Sequence, residues 1–279
     1  MSSTTQTITG RANRPDLLVR HWEPVGEPWA SLLIVHGLGE HSGRYEHVGE
    51  ALANAGIDAH GYDQGGFGGS GGRRAHTDAW SDTEDDLEER LRAVRDTANG
   101  RPVALYGHSL GGLIALAYTL GERPGPDLLI LSAPGLEDRL PGWKKRLAAV
   151  LDRATPTLRV PNGIARDQLV RTPRPGFVYT EDPLVEAAST VHFGALGFAT
   201  QGRTRELVES LDRLPTPTLV LHGGDDPIVP PSASARLERF DGVTRIVFPG
   251  YRHEVHNEAG SPVVDAIVGW MRGQVAGRG

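Results

Sequence analysis

Short apolar, β-branched segments alternate with helical patterns along most of the chain, and this alternation limits the fold more than any other feature. The segments are bounded by Gly, Pro and Asp and predict strands at residues 17–22, 31–36, 57–62, 103–106, 128–132, 218–222 and 244–248. Helical spacing predicts helices from Ser81, where Glu84 three residues later indicates a capping box, and over 110–120, 232–240 and 263–275. Strands separated by helices predict a doubly wound, mostly parallel α/β sheet.

The alternation lapses between about residues 134 and 215. Prolines divide this segment into short helical pieces without a strong strand, at positions 141, 156, 161, 173, 175 and 183. The sheet pattern then resumes at Thr218. We therefore predict a helical cap over residues 135–214, inserted late into a core formed by residues 1–134 and 215–279.

Composition excludes several classes of function. The chain has 279 residues, of which 38% are hydrophobic and 23% charged, which is typical of a folded domain. A net charge of -6 argues against nucleic acid as a partner. The absence of cysteine excludes disulfides, thiolate metal ligands and a cysteine nucleophile. No secretory signal and no apolar run of about 18 residues occur, so we expect a soluble, cytoplasmic protein.

A candidate nucleophile lies where a predicted strand meets a predicted helix. Gly107, His108, Ser109, Leu110 and Gly111 form a GxSxG motif between the strand at 103–106 and the helix from 110. A serine on such a sharp turn has a strained backbone, and flanking glycines avoid steric collision. The turn exposes the Ser109 hydroxyl and points the Leu110 amide toward a developing oxyanion. The alternative role for Ser109 is a helix cap.

A second GxSxG match at residues 68–72 is a weaker candidate. No apolar strand precedes Ser70, and Arg73 and Arg74 follow it in place of a helix. The glycines at 66, 68 and 71 of the same loop also match GxGxxG, but no apolar helix opens there. We therefore expect no dinucleotide and no other cofactor.

The remaining candidate residues follow other predicted strands. Asp225 and Asp226 follow the strand at 218–222, and we prefer Asp226 as the acid, with Asp225 as a turn former. His253 and His256 follow the last strand, and we prefer His253 as the base. Because this pair lacks the HExxH spacing, no metal is expected there. Leu38, in the loop after the strand at 31–36, is the candidate for the second oxyanion amide.

Five segments each contain a distinct motif of polar residues and glycine. They read HGLGEHSGRY at 36–45, GHSLGG at 107–112, DxxGxGxS at 63–70 and HGGDDPIVP at 222–230, followed by Gly250, His253, Glu254, Asn257 and Glu258. Together with residues 182–185 in the cap, these segments resemble the monoacylglycerol lipase and lysophospholipase branch of the α/β hydrolases. The resemblance spans nearly the whole chain and implies the α/β-hydrolase fold.

Carried over residue by residue, the resemblance implies a catalytic triad of Ser109, Asp226 and His253. It implies Leu38 and Leu110 as the oxyanion donors. Both assignments agree with those made from the motifs and their placement after strands.

The resemblance also bears on substrate binding. Arg44 and His108 are the candidate substrate contacts, and for Arg44 we prefer ordering of the loop to recognition of a polar head group. Phe67 stands where histidine is common in this branch, and Ala165 stands where serine is usual. The rest of the cap has diverged as well, so the resemblance does not fix the substrate.

The expected activity is ester hydrolysis through an acyl-enzyme on Ser109, with monoacylglycerols or similar single-chain lipid esters as substrates. The alternatives are a carboxylesterase or tailoring hydrolase for a non-lipid ester or amide, and a ligand-binding protein without turnover. Apolar cap residues are numerous enough to line an acyl tunnel: Leu136, Leu140, Trp143, Leu147, Val150, Leu151, Leu158, Phe177, Phe193, Leu196 and Phe198. Residues 143–151 (WKKRLAAVL) predict a basic amphipathic helix for transient membrane contact, with a solvated charged face as the alternative.

Overall fold

An eight-stranded sheet forms the centre of the molecule in the computed structural model, which describes residues 2–277. Its strands are β1 (Thr4–Ile8), β2 (Leu17–Trp22), β3 (Ala30–Val35), β4 (Ile57–Tyr62), β5 (Val103–His108), β6 (Leu128–Ser132), β9 (Thr218–Gly223) and β10 (Val243–Phe248). The strand order is β1-β2-β4-β3-β5-β6-β9-β10. β2 pairs antiparallel with β1 and β4, and the other neighbours are parallel, so the mostly parallel sheet was predicted correctly.

Helices cover both faces of this sheet. They are α1 (Glu46–Asn54), α2 (Trp80–Thr97), α3 (Leu110–Leu120), α7 (Pro231–Ala235) and α8 (Val263–Ala276), and a 3₁₀ turn, Arg236–Arg239, continues α7. One apolar layer packs α2 and α3 against the sheet, and the other packs α1 and α8 against its opposite face. Strands β3, β5 and β6 are buried along their whole length, which explains why their sequences lack strict alternation.

The start of α2 differs from the prediction. The N-cap residue is Ala79, whose amide donates a hydrogen bond to Oδ2 of Asp82 at 3.2 Å. Ser81 lies inside the first turn, so the predicted capping box of Ser81 and Glu84 is wrong. A carboxylate two residues earlier than Glu84 reaches the N-cap amide instead.

The segment between β6 and β9 forms a layer beside the carboxyl ends of the parallel strands. It contains α4 (Gly142–Ala154), β7 (Arg159–Pro161), α5 (Arg166–Leu169), β8 (Ala188–Thr190) and α6 (Val191–Ser210). β7 and β8 pair antiparallel, a two-stranded sheet that the sequence did not predict. The Glu186 amide donates to the Gly39 carbonyl at 2.7 Å, and the Thr190 amide donates to the Ala75 carbonyl at 3.0 Å. These bonds attach the segment to the loops that follow β3 and β4.

Candidate active site

The backbone turn at Ser109 has the geometry expected of an exposed nucleophile. Ser109 lies between β5 and α3 with φ of 52° and ψ of -114°, a left-handed conformation that is strained for a residue with a Cβ. A Cβ added to Gly107 would lie 2.3 Å from the Gly111 carbonyl oxygen, and one on Gly111 would lie 2.2 Å from the Val35 carbonyl oxygen. Only glycine fits at either position, so the spacing of the motif follows from close backbone approach.

The structure brings Ser109, His253 and Asp226 into one hydrogen-bonded chain. Nε2 of His253 lies 2.8 Å from Oγ of Ser109, and Nδ1 lies 2.7 Å from Oδ2 of Asp226. The other carboxylate oxygen of Asp226 accepts the amides of Ile228 and Val229 at 2.8 and 3.0 Å. The loop after β9 therefore fixes the carboxylate, which in turn fixes the imidazole ring.

Burial and charge act in opposite directions on the two ionisable groups. Burial of His253 disfavours its charged form, but the Asp226 carboxylate outweighs this and raises the pKa of His253 above 6.5. Burial likewise opposes ionisation of Asp226, but His253 and His222, which lies 3.2 Å away, lower the pKa of the carboxyl well below its ordinary value. Asp226 is therefore ionised at neutral pH, and His253 is a stronger base than a free histidine.

The two predicted oxyanion amides lie beside the nucleophile. Leu110 is the first residue of α3, and Leu38 follows Gly37, whose added Cβ would lie 3.2 Å from Cβ of Ser109. The Leu38 and Leu110 side chains both pack against the apolar cluster of Phe67, Ala75 and Phe193. Among residues 2–277, neither amide has a hydrogen-bond acceptor. Two free N–H groups near Ser109 are what an oxyanion would require.

Arg44 lies in the interior, with a side chain that is 4% exposed. Its guanidinium donates to Glu40 at 3.1 Å, to both oxygens of Glu254 at 2.7 and 2.6 Å, and to the Val178 carbonyl at 2.9 Å. It also lies 4.7 Å from the ring centroid of Tyr179. Because these contacts join the loops after β3 and β10 to the segment between β6 and β9, they favour loop ordering over direct substrate binding for Arg44.

His108, the other predicted substrate contact, lies behind the triad. Its buried ring has its centroid 4.8 Å from that of His253, and Nδ1 lies 3.2 Å from Oγ of Ser132. Burial, with a smaller contribution from the charge of His253, lowers the pKa of His108 to about 3. The ring is therefore neutral where it packs against His253, and a contact with substrate stays a prediction.

Ser70 and Asp63 have a structural role that the sequence did not specify. The Ser70 hydroxyl donates to the Asp63 carbonyl at 2.6 Å and accepts the Leu18 amide at 2.8 Å. Asp63 accepts the amide and hydroxyl of Ser42 at 2.7 and 2.6 Å. Ser70, in the second GxSxG match, therefore stabilises the surrounding loops. The DxxGxGxS pattern contains both Asp63 and Ser70 and is the sequence feature that could have indicated this role.

Comparison with known proteins identifies the family. The family described as "Hydrolase_4: Serine aminopeptidase, S33" matches residues 26–260. The chain belongs to this family. It is also 32% identical to a monoacylglycerol lipase of Mycolicibacterium smegmatis, over 90% of both chains. A crystal structure of Paleococcus ferrophilus monoacylglycerol lipase has a TM-score of 0.78 and 32% identity, covering 91% of this chain and 97% of that one.

These findings confirm the predicted monoacylglycerol lipase branch and the α/β-hydrolase fold. The chain is 31% identical to an uncharacterized abhydrolase domain-containing protein of Dictyostelium discoideum, with 98% of this chain matched but only 29% of that protein. The same hydrolase domain thus occurs within a longer chain. Within residues 2–277 of this hydrolase, no helix is both long and apolar enough to cross a bilayer.

Proposed function

We propose that this hydrolase cleaves carboxylic esters of single acyl chains, monoacylglycerols foremost, through an acyl-enzyme on Ser109. The observation that carries the proposal is the hydrogen-bonded chain from Ser109 to His253 to Asp226, beside two free amides. The names of the relatives from Mycolicibacterium smegmatis and Paleococcus ferrophilus support the substrate class.

The reaction follows from the positions of these groups. Nε2 of His253 accepts the hydroxyl proton as Oγ of Ser109 attacks the ester carbonyl, and the amides of Leu38 and Leu110 hold the resulting oxyanion. The imidazolium, stabilised by Asp226, then protonates the departing alcohol oxygen. A water molecule repeats these steps on the acyl-enzyme, and the fatty acid leaves with Ser109 regenerated.

The surface of α4 supports contact with a lipid surface. None of the residues of α4, all of which the structure describes, is buried. Trp143, Leu147 and Val150 are 61%, 46% and 62% exposed and share one helix face by their spacing. These three side chains therefore face outward and do not line a tunnel. An apolar face beside Lys144 and Arg146 suits transient binding to a lipid surface, while cytoplasmic location stays a prediction.

Labelling with a fluorophosphonate probe tests the nucleophile. The wild-type chain and a Ser70→Ala variant are expected to take up one label, and Ser109→Ala none, because the probe needs an activated hydroxyl. A Ser109→Ala chain that is labelled at the wild-type rate would refute the assignment.

Substrate profiling tests the ester class independently of the nucleophile. Hydrolysis of a chain-length series of monoacylglycerols is compared with that of p-nitrophenyl esters and amides. We expect the highest kcat/KM among the glycerol esters. A chain that is labelled by the probe but prefers short non-lipid esters would be a carboxylesterase with the same triad.

A further inference from the structure

Two histidines and an aspartate converge on the antiparallel part of the sheet, away from the hydrolytic site. His21 of β2 and His60 of β4 are directly opposite each other in the strand register. Their rings stack with centroids 4.5 Å apart and an interplanar angle of 8°. Asp58 precedes His60 by two residues and therefore shares its face of the sheet. In the strand order, β3 separates β4 from β5, which leads into Ser109.

The ligand atoms of these three residues point toward one another. Nε2 of His21 lies 2.7 Å from Oδ1 of Asp58, and Nε2 of His60 lies 3.2 Å from Oδ2. One ligand atom from each of the three residues lies within 4.8 Å of the other two. Tetrahedral Zn²⁺ with ligands at about 2.0–2.1 Å separates its ligand atoms by about 3.3 Å. An ion lies in the plane of each imidazole that binds it, so at least one of the two nearly parallel rings has to turn out of the stack to share an ion with Asp58.

An ion pair between His21 and Asp58 accounts for only part of this arrangement. Nε2 of His60 is buried, and its 3.2 Å approach to Oδ2 of Asp58 does not have the geometry of a hydrogen bond. A buried ring nitrogen without a well-formed hydrogen bond is costly. A metal ion would satisfy this nitrogen together with the carboxylate and the second imidazole.

We propose that His21, Asp58 and His60 form a binding site for a divalent transition-metal ion, Zn²⁺ foremost. Two imidazoles and one carboxylate suit Zn²⁺, whereas Ca²⁺ and Mg²⁺ prefer sites made of oxygen ligands alone. The His21 side chain is 39% exposed, which leaves a path for the ion and room for a water ligand. The bound ion would link β2 to β4 and stabilise the edge of the sheet, and it takes no part in ester hydrolysis.

Calorimetric titration of the tag-free, chelator-treated chain with Zn²⁺ tests the site. We expect one ion per chain for the wild type. His21→Ala and His60→Ala should each weaken binding by at least about 100-fold, because loss of outer-shell partners alone costs about 10–100-fold. His76→Ala is the matched control, since His76 and His192 have ring centroids 5.5 Å apart but belong to no such cluster among the described residues.

Melting temperature and NMR line broadening test the same site independently of calorimetry. Zn²⁺ should raise the melting temperature of the wild type and of His76→Ala but not of His60→Ala, and all three should hydrolyse esters alike. Co²⁺ should broaden the NMR signals of the His21 and His60 rings in the wild type, which needs no variant. If the wild type takes up no stoichiometric Zn²⁺, or if it binds as tightly after loss of His21 or His60, the proposal is wrong.

Discussion

Replacing Arg44 by methionine would remove one guanidinium from between two buried carboxylates. The methionine side chain fills much of the same volume, so the change removes charge and hydrogen bonds more than packing. Glu40 and Glu254 would then face each other without a counter-charge, and the Val178 carbonyl would lose its donor.

The expected loss of stability follows from the cost of a broken ion pair and from the pKa of Glu40. Breaking a buried ion pair by removing one partner costs about 3–5 kcal/mol. Burial alone would raise the pKa of Glu40, but Arg44 is the main cause of its lowering from 4.5 to about 2. A shift of this size corresponds to about 3 kcal/mol of stability. Arg44→Met is therefore expected to lower the free energy of unfolding by about 3–5 kcal/mol at neutral pH.

The sign of the pH dependence follows from the same pKa. A carboxyl with a lowered pKa in the folded state contributes its full stability above the unfolded value of 4.5. That contribution is lost as the pH falls from 4.5 toward about 2. In Arg44→Met the Glu40 contribution is absent, so stability should fall less steeply across this acid range than in the wild type.

Urea unfolding at neutral and acid pH measures both effects. Arg236→Met is the matched control, because Arg236 pairs with Glu137 and Glu209 at the surface, where such pairs contribute about 0–1 kcal/mol. Arg44 would not compensate buried charge if Arg44→Met were as stable as Arg236→Met and lost stability at acid pH as steeply as the wild type.

Three other predictions concern catalysis and the cap. Because Asp226 raises the pKa of His253 and the base must be neutral, kcat/KM should rise with pH through a midpoint above 6.5. Asp226→Asn should lower that midpoint and reduce kcat by about 10⁴-fold, and a pH profile identical to that of the wild type would contradict this. Gly111→Ala places a Cβ 2.2 Å from a backbone oxygen, so esterase activity and melting temperature should both drop, whereas retained activity would contradict the close approach. Trp143→Glu should reduce the fraction of protein that sediments with lipid vesicles but leave hydrolysis of a water-soluble ester unchanged. Val25→Glu, at another exposed position, should change neither quantity.

The strands that the sequence predicted include all of the fully buried ones, together with the partly exposed β2 and β10. Strands β3, β5, β6 and β9 consist mainly of apolar residues, so their hydrophobic runs identify them without their neighbours. β1 reads TTQTI and is mostly exposed, and β7 and β8 have three residues each. These three form because a partner strand supplies hydrogen bonds. β1 is rich in β-branched residues but has no apolar run, and β7 and β8 are too short to show a pattern.

The candidate site divides in the same way. Ser109, Asp226 and His253 each follow a strand in a recognisable motif, and parallel strands end at one edge of the sheet, so their convergence could be predicted. The contacts that hold the loops of these three residues in place could not be predicted. The bond from Arg44 to Glu254 joins residues 210 positions apart, and a charged residue in a motif does not reveal its partner.

The position of Arg44 explains why this polar group is buried despite its cost. Glu40 accepts the Gly37 amide, which orients the loop that carries the Leu38 amide, while Glu254 directly follows His253. One guanidinium therefore connects the loop of the proposed oxyanion donor, Leu38, to the loop of the proposed base, His253. Preorganised dipoles stabilise a developing charge because they do not have to reorient during the reaction. A hydrophobic replacement for this ion network could give a core of equal or greater stability, but it would leave the two loops free to move relative to each other.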